Sequence, residues 1–192
     1  MRNLLIGIGV LVVLGMFSVG RYNSLVKMNE GVDKSWADMD IQYQRRADLI
    51  PNIVSTVKGY AEHEREALVG VTEARAKATA IKIDPSNMTA DDLQKFSSAQ
   101  NGLSSALAKL MAVSERYPDL KANQGFMQLQ AQLEGTENRI AVSRNRYGEV
   151  VQEFNSSIKT FPNVFLAGMM GLEKRPYFEA DESAKKAPEV KF

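Results

Sequence analysis

The sequence contains no cysteine and only one histidine among its 192 residues. Without cysteine the chain cannot form a disulfide, an iron–sulfur centre, a cysteine-ligated zinc site or a thiol nucleophile. The single histidine, His63, disfavours a Ser-His-Asp triad and a multi-histidine metal site. The helix of a zinc protease needs a second histidine four residues further on, where this chain has Ala67. We therefore expect no metal, no cofactor and no enzymatic activity.

The sequence also lacks an excess of charge of either sign. It has 24 Lys and Arg against 23 Asp and Glu, a net charge of +1. A chain this close to neutral has no field that gathers nucleic acid by charge alone, so we expect no nucleic-acid partner. Its glycines form neither a GxGxxG sequence nor a P-loop, which excludes the common phosphate-binding loops.

One long hydrophobic run is present, at the N-terminus. Residues 4–20 carry no charge and are bounded by an arginine on each side. As a helix they span about 26 Å, near the short limit for crossing a hydrocarbon core. A cleaved signal peptide is the alternative, because Ser18-Val19-Gly20 resembles a small-residue cleavage site. Since an amphipathic pattern starts at once at Tyr22, we predict a retained transmembrane anchor over residues 1–21, with residues 4–20 in the lipid bilayer.

The charges beside this run predict its orientation. Arg21, Lys27 and Lys34 follow it, whereas Arg2 and the terminal amine precede it. Positively charged flanks favour the cytoplasmic side of a membrane. We therefore place the main domain on the cytoplasmic side.

The residues after the run have helical periodicity. Apolar positions separated by alternating steps of four and three form the seam of a coiled-coil-like helix. This seam consists of Val32, Trp36, Met39, Tyr43, Arg46, Ile50, Ile53, Val57 and Tyr60. Pro51 lies inside the pattern, where its ring crowds the carbonyl of Ala47 and indicates either a kink or a break. The pattern passes through Pro51 in phase, which favours a kinked, continuous helix.

Two further amphipathic helices follow a loop at residues 84–89. Thr89 resembles an N-cap, with Asp92 placed to complete a capping box. The stripe of the first helix is Leu93, Phe96, Gln100, Leu103, Leu107, Leu110, Ser114 and Tyr117. The second helix is predicted from about Asn123 to Thr160. Its stripe is Phe126, Leu129, Leu133, Thr136, Ile140, Ser143, Tyr147, Val150, Phe154, Ser157 and Phe161.

No stretch alternates with period two, so the predicted fold class is all-α. Short connections between long helices predict an antiparallel bundle of three to four helices over residues 22–179. Residues 180–192 are charged and small, and we predict a disordered tail. The apolar segment 164–172 either covers the end of the bundle or lies against the bilayer. Its candidates for contact with lipid or a partner are Phe165, Met169, Met170 and Leu172.

A charged residue interrupts the apolar seam at Arg46. A buried guanidinium needs a carboxylate partner, because an unpaired buried charge is costly. We expect Arg46 to pair with Glu134 or Glu137 across the bundle and to fix its register. An anion or ligand site built from these groups is the alternative. The candidates for ion pairs are Arg45, Arg46, Glu134, Glu137 and Arg144.

Several strings in the chain resemble the LemA family. They include Gln44-Arg-Arg-Ala-Asp-Leu-Ile-Pro-Asn52, Val57-Lys-Gly-Tyr-Ala-Glu-His-Glu64, Tyr117-Pro-Asp-Leu-Lys-Ala122 and Leu133-Glu-Gly-Thr-Glu-Asn-Arg-Ile140. The resemblance covers roughly residues 21–179. It implies a bacterial single-pass protein of the cytoplasmic membrane with a helical bundle and no established enzymatic activity. One departure is Gly148, where the family usually has asparagine.

These observations predict a membrane-anchored scaffold or assembly factor. Long apolar seams can be shared between subunits, so we expect a homo-oligomer or contacts with other membrane proteins. The alternative is a membrane-tethered sensor that binds a small ligand or an anion through buried Arg and Glu groups.

Overall fold

A computed structural model of the chain describes residues 2–178, which form helices, their connections and a non-helical segment at residues 172–178. The helices are α1 (Arg2–Tyr60), α2 (Arg65–Ala80), α3 (Ala90–Ser114), α4 (Pro118–Lys121), α5 (Gln124–Ser157) and α6 (Asn163–Met170). A single 3-10 turn, Pro85–Asn87, precedes α3. No strand occurs within residues 2–178. The all-α prediction is confirmed for this range, and the predicted tail at 180–192 lies outside it.

Helix α1 is 59 residues long and continues through Pro51. The alternative of two separate helices is therefore not what the structure has. Proline has no N–H, so it leaves the carbonyl of Ala47 without its helical donor. The Nε of Arg75, on α2, donates to that oxygen at 2.7 Å. A neighbouring helix thus replaces the hydrogen bond that Pro51 removes.

The long helices alternate in direction. Arg46 and Tyr60 on α1 contact Glu137 and Asn123 on α5, so the two helices are antiparallel. Helix α2 returns along α1 after a turn at residues 61–64. Its N-cap residue Glu64 meets Arg116, just beyond the end of α3, so α2 and α3 are also antiparallel. Short connections between antiparallel neighbours are the arrangement that the sequence predicts.

Buried side chains fill the space between these helices in two clusters. The first cluster extends from Leu25 to Tyr43 on α1 and includes Phe96 and Tyr147. Its centre is Trp36, whose ring lies 5.3 Å from that of Phe96 and 5.8 Å from that of Tyr147. The second cluster lies at the other end of the domain and consists mainly of aliphatic side chains. Arg46 lies on α1 between the two clusters.

The N-terminus of α3 has the predicted cap. Thr89 Oγ1 accepts from the backbone N–H of Asp92, and the Asp92 carboxylate accepts from the backbone N–H of Thr89. Both halves of a capping box are therefore present. From Leu93 to Ser114, every residue of the predicted α3 stripe is buried, and Tyr117 is half-buried.

Two predicted seam positions are wrong. Tyr60 is 44 % exposed, because α1 ends there and its register no longer faces the core. Phe161 is 82 % exposed, because α5 ends at Ser157 and Phe161 lies in the following turn. A residue that precedes proline avoids the helical region, and Pro162 prevents α5 from continuing.

Candidate functional site

The guanidinium of Arg46 joins three helices. Its Nη1 donates to Ser104 Oγ and to Glu137 Oε1, each at 2.8 Å. Its Nη2 donates to the Gln100 side-chain oxygen at 2.5 Å and to the Gln100 carbonyl at 3.3 Å. Ser104 and Gln100 belong to α3, and Glu137 belongs to α5. Arg46 therefore connects α1 to both of these neighbours at the boundary between the two core clusters.

The polar contacts around Arg46 are largely closed to solvent. The Arg46 side chain is 2 % exposed, whereas the Glu137 side chain is 41 % exposed, so one end of the ion pair reaches water. The guanidinium also lies 5.3 Å from the centre of the Tyr43 ring. Within the described residues, Nε is the one nitrogen of this guanidinium without a hydrogen-bond partner. Since the protein itself occupies the other nitrogens, the group has little capacity left for an exogenous anion.

The other predicted ion-pair residues do not join Arg46. Arg45 is exposed, and Glu134 accepts a hydrogen bond from Gln130 on the surface of α5. Arg144 lies 4.6 Å from the centre of the Phe178 ring, a cation–π contact rather than an ion pair. The predicted set is therefore corrected: Arg45, Glu134 and Arg144 are not part of the Arg46 ion pair. Helical spacing identified the face on which they lie but not which side chains meet.

A second buried arginine, Arg175, was not predicted. Its Nη2 donates to Asn29 Oδ1 at 2.8 Å and lies 3.1 Å from Asp33 Oδ1, and its Nη1 donates to the Pro85 carbonyl. Burial raises the pKa of Asp33, and the charge of Arg175 opposes that rise. This cluster fastens residues 172–178 across α1. The segment has no periodicity, so no sequence signal marks Arg175 as buried.

A cleft of about 290 Å³ opens beside the Arg46 node, between α1, α3 and the end of α2. Its lining includes Trp36, Asp40, Tyr43, Lys82 and Gln100. Burial raises the pKa of Asp40. The volume is at the small end of the range for ligand sites. The cleft has room for a small polar molecule, but its lining contains no paired nucleophile and base.

Metal ligands do not converge in the part of the chain that the structure describes. Across residues 2–178, no three His, Asp or Glu side chains form a group that could hold a metal ion. His63 is exposed in the turn between α1 and α2.

The apolar N-terminal segment lies outside both core clusters. No described side chain between residues 4 and 20 is buried. Within the described residues, α1 is the one helix long and apolar enough to cross a membrane. The structure therefore contains a single candidate span, and it is the segment predicted from the sequence.

The four residues predicted to face lipid or a partner divide into two pairs. Phe165 and Met169 are 66 % and 85 % exposed. Met170 and Leu172 are half-buried and pack against the first core cluster, so for them the prediction of a free surface is wrong. They face the core because α6 turns one side toward α1.

The sequence of this chain is similar to those of several known proteins. Magnetosome protein MamQ 2 of Paramagnetospirillum magneticum is 26% identical over 83% of this chain and 65% of its own length. Magnetosome protein MamQ of Magnetospirillum gryphiswaldense is 25% identical over 82% of this chain and 64% of its own length. Protein LemA of Metamycoplasma hominis is 25% identical over 85% of this chain and 71% of its own length.

The chain spans somewhat less than two thirds of the length of the MamQ proteins. The sequence profile of the LemA family matches residues 35–192. This range begins within α1 and includes α2 to α6. This chain belongs to the LemA family.

Proposed function

We propose that this protein is a membrane-anchored, non-enzymatic scaffold or assembly factor of the bacterial cytoplasmic membrane. The observation that carries the proposal is the continuity of α1. An exposed apolar segment, residues 4–20, leads within one helix into the seam around which the other helices pack. One element therefore serves as both the anchor and the central rod of the domain.

The exposure of residues 4–20 supports insertion into a bilayer. A helix that is apolar on all sides is either buried in protein or surrounded by lipid. Among residues 2–178, no other part of the domain covers the apolar window of this segment. Arg21, Lys27 and Lys34 follow it, and they support a domain on the cytoplasmic side.

The use of the buried charges supports a non-enzymatic role. Arg46 and Arg175 are bonded to groups of the protein itself, and each joins different segments of the chain. Catalytic groups, in contrast, must remain available to a substrate. These arginines therefore serve the shape of the domain.

Exposed apolar side chains away from the anchor support self-association. Ile41 on α1 and Val142 on α5 are 60 % and 67 % exposed. The hydrogen bond between Gln42 and Arg139 places them at nearly the same height on neighbouring helices. Exposed apolar side chains at this height are suited to contact with a second copy or with another membrane protein. Two relatives are named as magnetosome proteins, and we extend to this chain only a role in assembly at a membrane.

Site-specific photo-crosslinking in intact cells tests the assembly role. Crosslinkers at Ile41 and Val142 should each capture one defined protein, either this chain or another membrane protein. A crosslinker at Met127, which is exposed on the distant part of α5, is the matched control. Light scattering of the full chain in detergent then distinguishes an oligomer from a monomer. A monomer without a specific crosslink at either position would contradict the scaffold proposal.

The anchor and its orientation have their own test. The mass of the purified intact chain reports whether residues 4–20 are retained. Because the chain lacks cysteine, a Met127→Cys variant has a single reactive thiol. A membrane-impermeant maleimide should label it only after permeabilisation. Labelling in intact cells would contradict the cytoplasmic orientation, and a chain that begins near Arg21 would contradict the anchor.

A ligand-sensing module is the second candidate, and the cleft near Arg46 favours it. Asp40 and Lys82 give that cleft opposite charges, and the aromatic residues Trp36 and Tyr43 also line it. A small zwitterion fits this chemistry better than a simple anion. Thermal shift of the full chain against a panel of amino acids tests it, with an Asp40→Asn variant as the control. No shift across the panel would contradict it.

A further inference from the structure

After its first residue, Asn163, helix α6 contains only apolar residues and glycine. Asn163–Met170 contains no charged residue, and Ala167 is buried against the core. The opposite side is exposed, together with the turn before it. We define the α6 patch as Phe161, Val164, Phe165 and Met169. The rings of Phe161 and Phe165 are in edge-to-face contact, with centres 6.0 Å apart. A surface helix normally has polar residues on its outer side, so this patch requires a partner.

The register between α1 and α5 gives the position of the patch. Arg46 meets Glu137, and Gly31 faces Val150 nearer the N-terminus of α1. When this register is extended along both helices, the end of α5 lies at the height of Leu25, which is the first buried residue of α1. Leu25 is five residues from Gly20, or about 7.5 Å along the helix axis. The α6 patch therefore lies close to where the apolar segment ends.

We propose that the α6 patch rests on the bilayer surface and inserts its side chains among the lipid headgroups. This inference depends on the proposed anchor, because residues 4–20 must be in the bilayer to bring the patch to it. The free energy falls when phenylalanine and methionine side chains leave water for the boundary between the lipid headgroups and the acyl chains. The domain then contacts the membrane at two points, α1 and α6.

The nearby charges are consistent with lipid as the occupant. Lys159 is exposed in the turn before α6, and the register between α1 and α5, when extended, places the exposed Arg21 at about that height. Basic groups beside an inserted apolar patch attract anionic headgroups. A second copy of the chain is a weaker choice. Stable protein interfaces bury about 800 Å² on each side, which is more than these four partly exposed side chains provide.

Depth-dependent fluorescence quenching tests the proposal on the full chain. The probe membrane is a proteoliposome of phosphatidylethanolamine and phosphatidylglycerol that contains nitroxide-labelled lipids. Because the chain lacks cysteine, Phe165→Cys and Met169→Cys each accept one fluorophore at a position that faces away from the core. Val12→Cys reports on the anchor. Met127→Cys and Val69→Cys are controls on exposed apolar positions far from α6.

The expected result is several-fold stronger quenching at 165 and 169 than at 127 and 69, with a shallow depth. The label at 12 should be quenched at a greater depth. Quenching at 12 without quenching at 165 and 169 would overturn the proposal and leave the anchor intact. No quenching at 12 would overturn the anchor and the proposal together. Self-quenching at 165 that depends on the density of labelled protein would assign the patch to a second copy and overturn the contact with lipid.

Discussion

The Nε of Arg75 donates a hydrogen bond to the carbonyl oxygen of Ala47 at 2.7 Å, and that oxygen is the one that Pro51 deprives of its helical donor. This contact explains how a proline lies inside a continuous 59-residue helix. It also joins α2 to α1 where the helix is weakest. The bond therefore stabilises the central rod and positions its neighbour.

Replacing Arg75 should destabilise the protein more when Pro51 is present than when it is replaced. We expect Arg75→Leu to lower the free energy of unfolding by about 2 kcal/mol, because the Ala47 carbonyl loses a charged donor. In a Pro51→Ala background, the new N–H of residue 51 bonds that carbonyl, and the cost of Arg75→Leu should fall to less than half. Chemical denaturation of the full chain in detergent, followed by helical circular dichroism, gives these values. Equal costs in the two backgrounds would show that the Arg75 contact does not compensate for Pro51.

The ion pair between Arg46 and Glu137 should behave as a coupled unit. Removal of Arg46 strands Gln100 and Ser104 in the interior, so Arg46→Ala should cost about 3 kcal/mol of stability. Glu137→Ala should cost about 2 kcal/mol: water reaches this carboxylate, but its loss leaves the buried Arg46 charge without a counter-charge. The double variant should cost less than the sum, with a coupling of about 0.5–1 kcal/mol. Strict additivity would contradict a role for this pair in fixing the register between α1 and α5.

Asn155 should be sensitive to the loss of one amide hydrogen donor. Its Nδ2 donates to the Arg175 carbonyl, and its Oδ1 accepts from the Arg175 backbone N–H, both at 2.8 Å. Asn155→Asp keeps the acceptor but places an oxygen against the carbonyl, which should cost about 2 kcal/mol near neutral pH. Burial and the facing carbonyl raise the pKa of the new carboxyl in the folded state, and its protonation restores a donor, so the difference from the unmodified chain should shrink as the pH falls from neutral toward about 4, the unfolded value. A difference that is independent of pH would refute this two-way bond.

Because the Tyr147 hydroxyl is buried, we expect the free energy of unfolding to fall at high pH. Burial raises the pKa of Tyr147 to about 12, whereas an unfolded tyrosine titrates near about 10. Between about pH 10 and 12, the folded state therefore keeps the hydroxyl proton of Tyr147, whereas the unfolded state has released it. The contribution of Tyr147 to the free energy of unfolding is complete below about pH 10, and it is lost as the pH rises toward the pKa of Tyr147 in the folded state.

The matching variant is Tyr147→Phe, which removes this titration. It also removes the hydrogen bond to the Pro176 carbonyl, at a cost of about 1 kcal/mol at neutral pH. The stability of the unmodified chain should fall more steeply than that of the variant between about pH 10 and 12. Parallel curves would place the hydroxyl in contact with water. Tyr60→Phe, at an exposed position, is the control.

The fold could be predicted from the sequence wherever one residue type repeats at helical spacing. The stripe of α3 and the capping box at Thr89 are examples, because both depend on local spacing alone. The end of α1 at Tyr60 was missed because the residues of the turn, 61–64, include neither glycine nor proline. The apolar pattern extends to Tyr60, but its ring is exposed and only its hydroxyl meets a neighbour, by accepting a hydrogen bond from Asn123.

The candidate site was predictable in part for the same reason. Arg46 stands out because a charge at a seam position must find a partner, and Glu137 lies on the facing helix. Arg175 and Arg75 do not stand out. Their partners are backbone carbonyls and side chains far away in the chain, and such contacts arise from tertiary packing that no local pattern encodes.

The absence of a hinge between the apolar segment and the domain has a mechanical consequence. From Arg21 to Tyr60, α1 extends about 60 Å, so in the proposed anchored arrangement a tilt of a few degrees moves its far end by several ångströms. Each residue inserted between Gly20 and Leu25 would turn the domain by about 100° around the helix axis relative to the apolar segment. The side of the domain that faces a neighbour of that segment is thus set by the phase of a single helix.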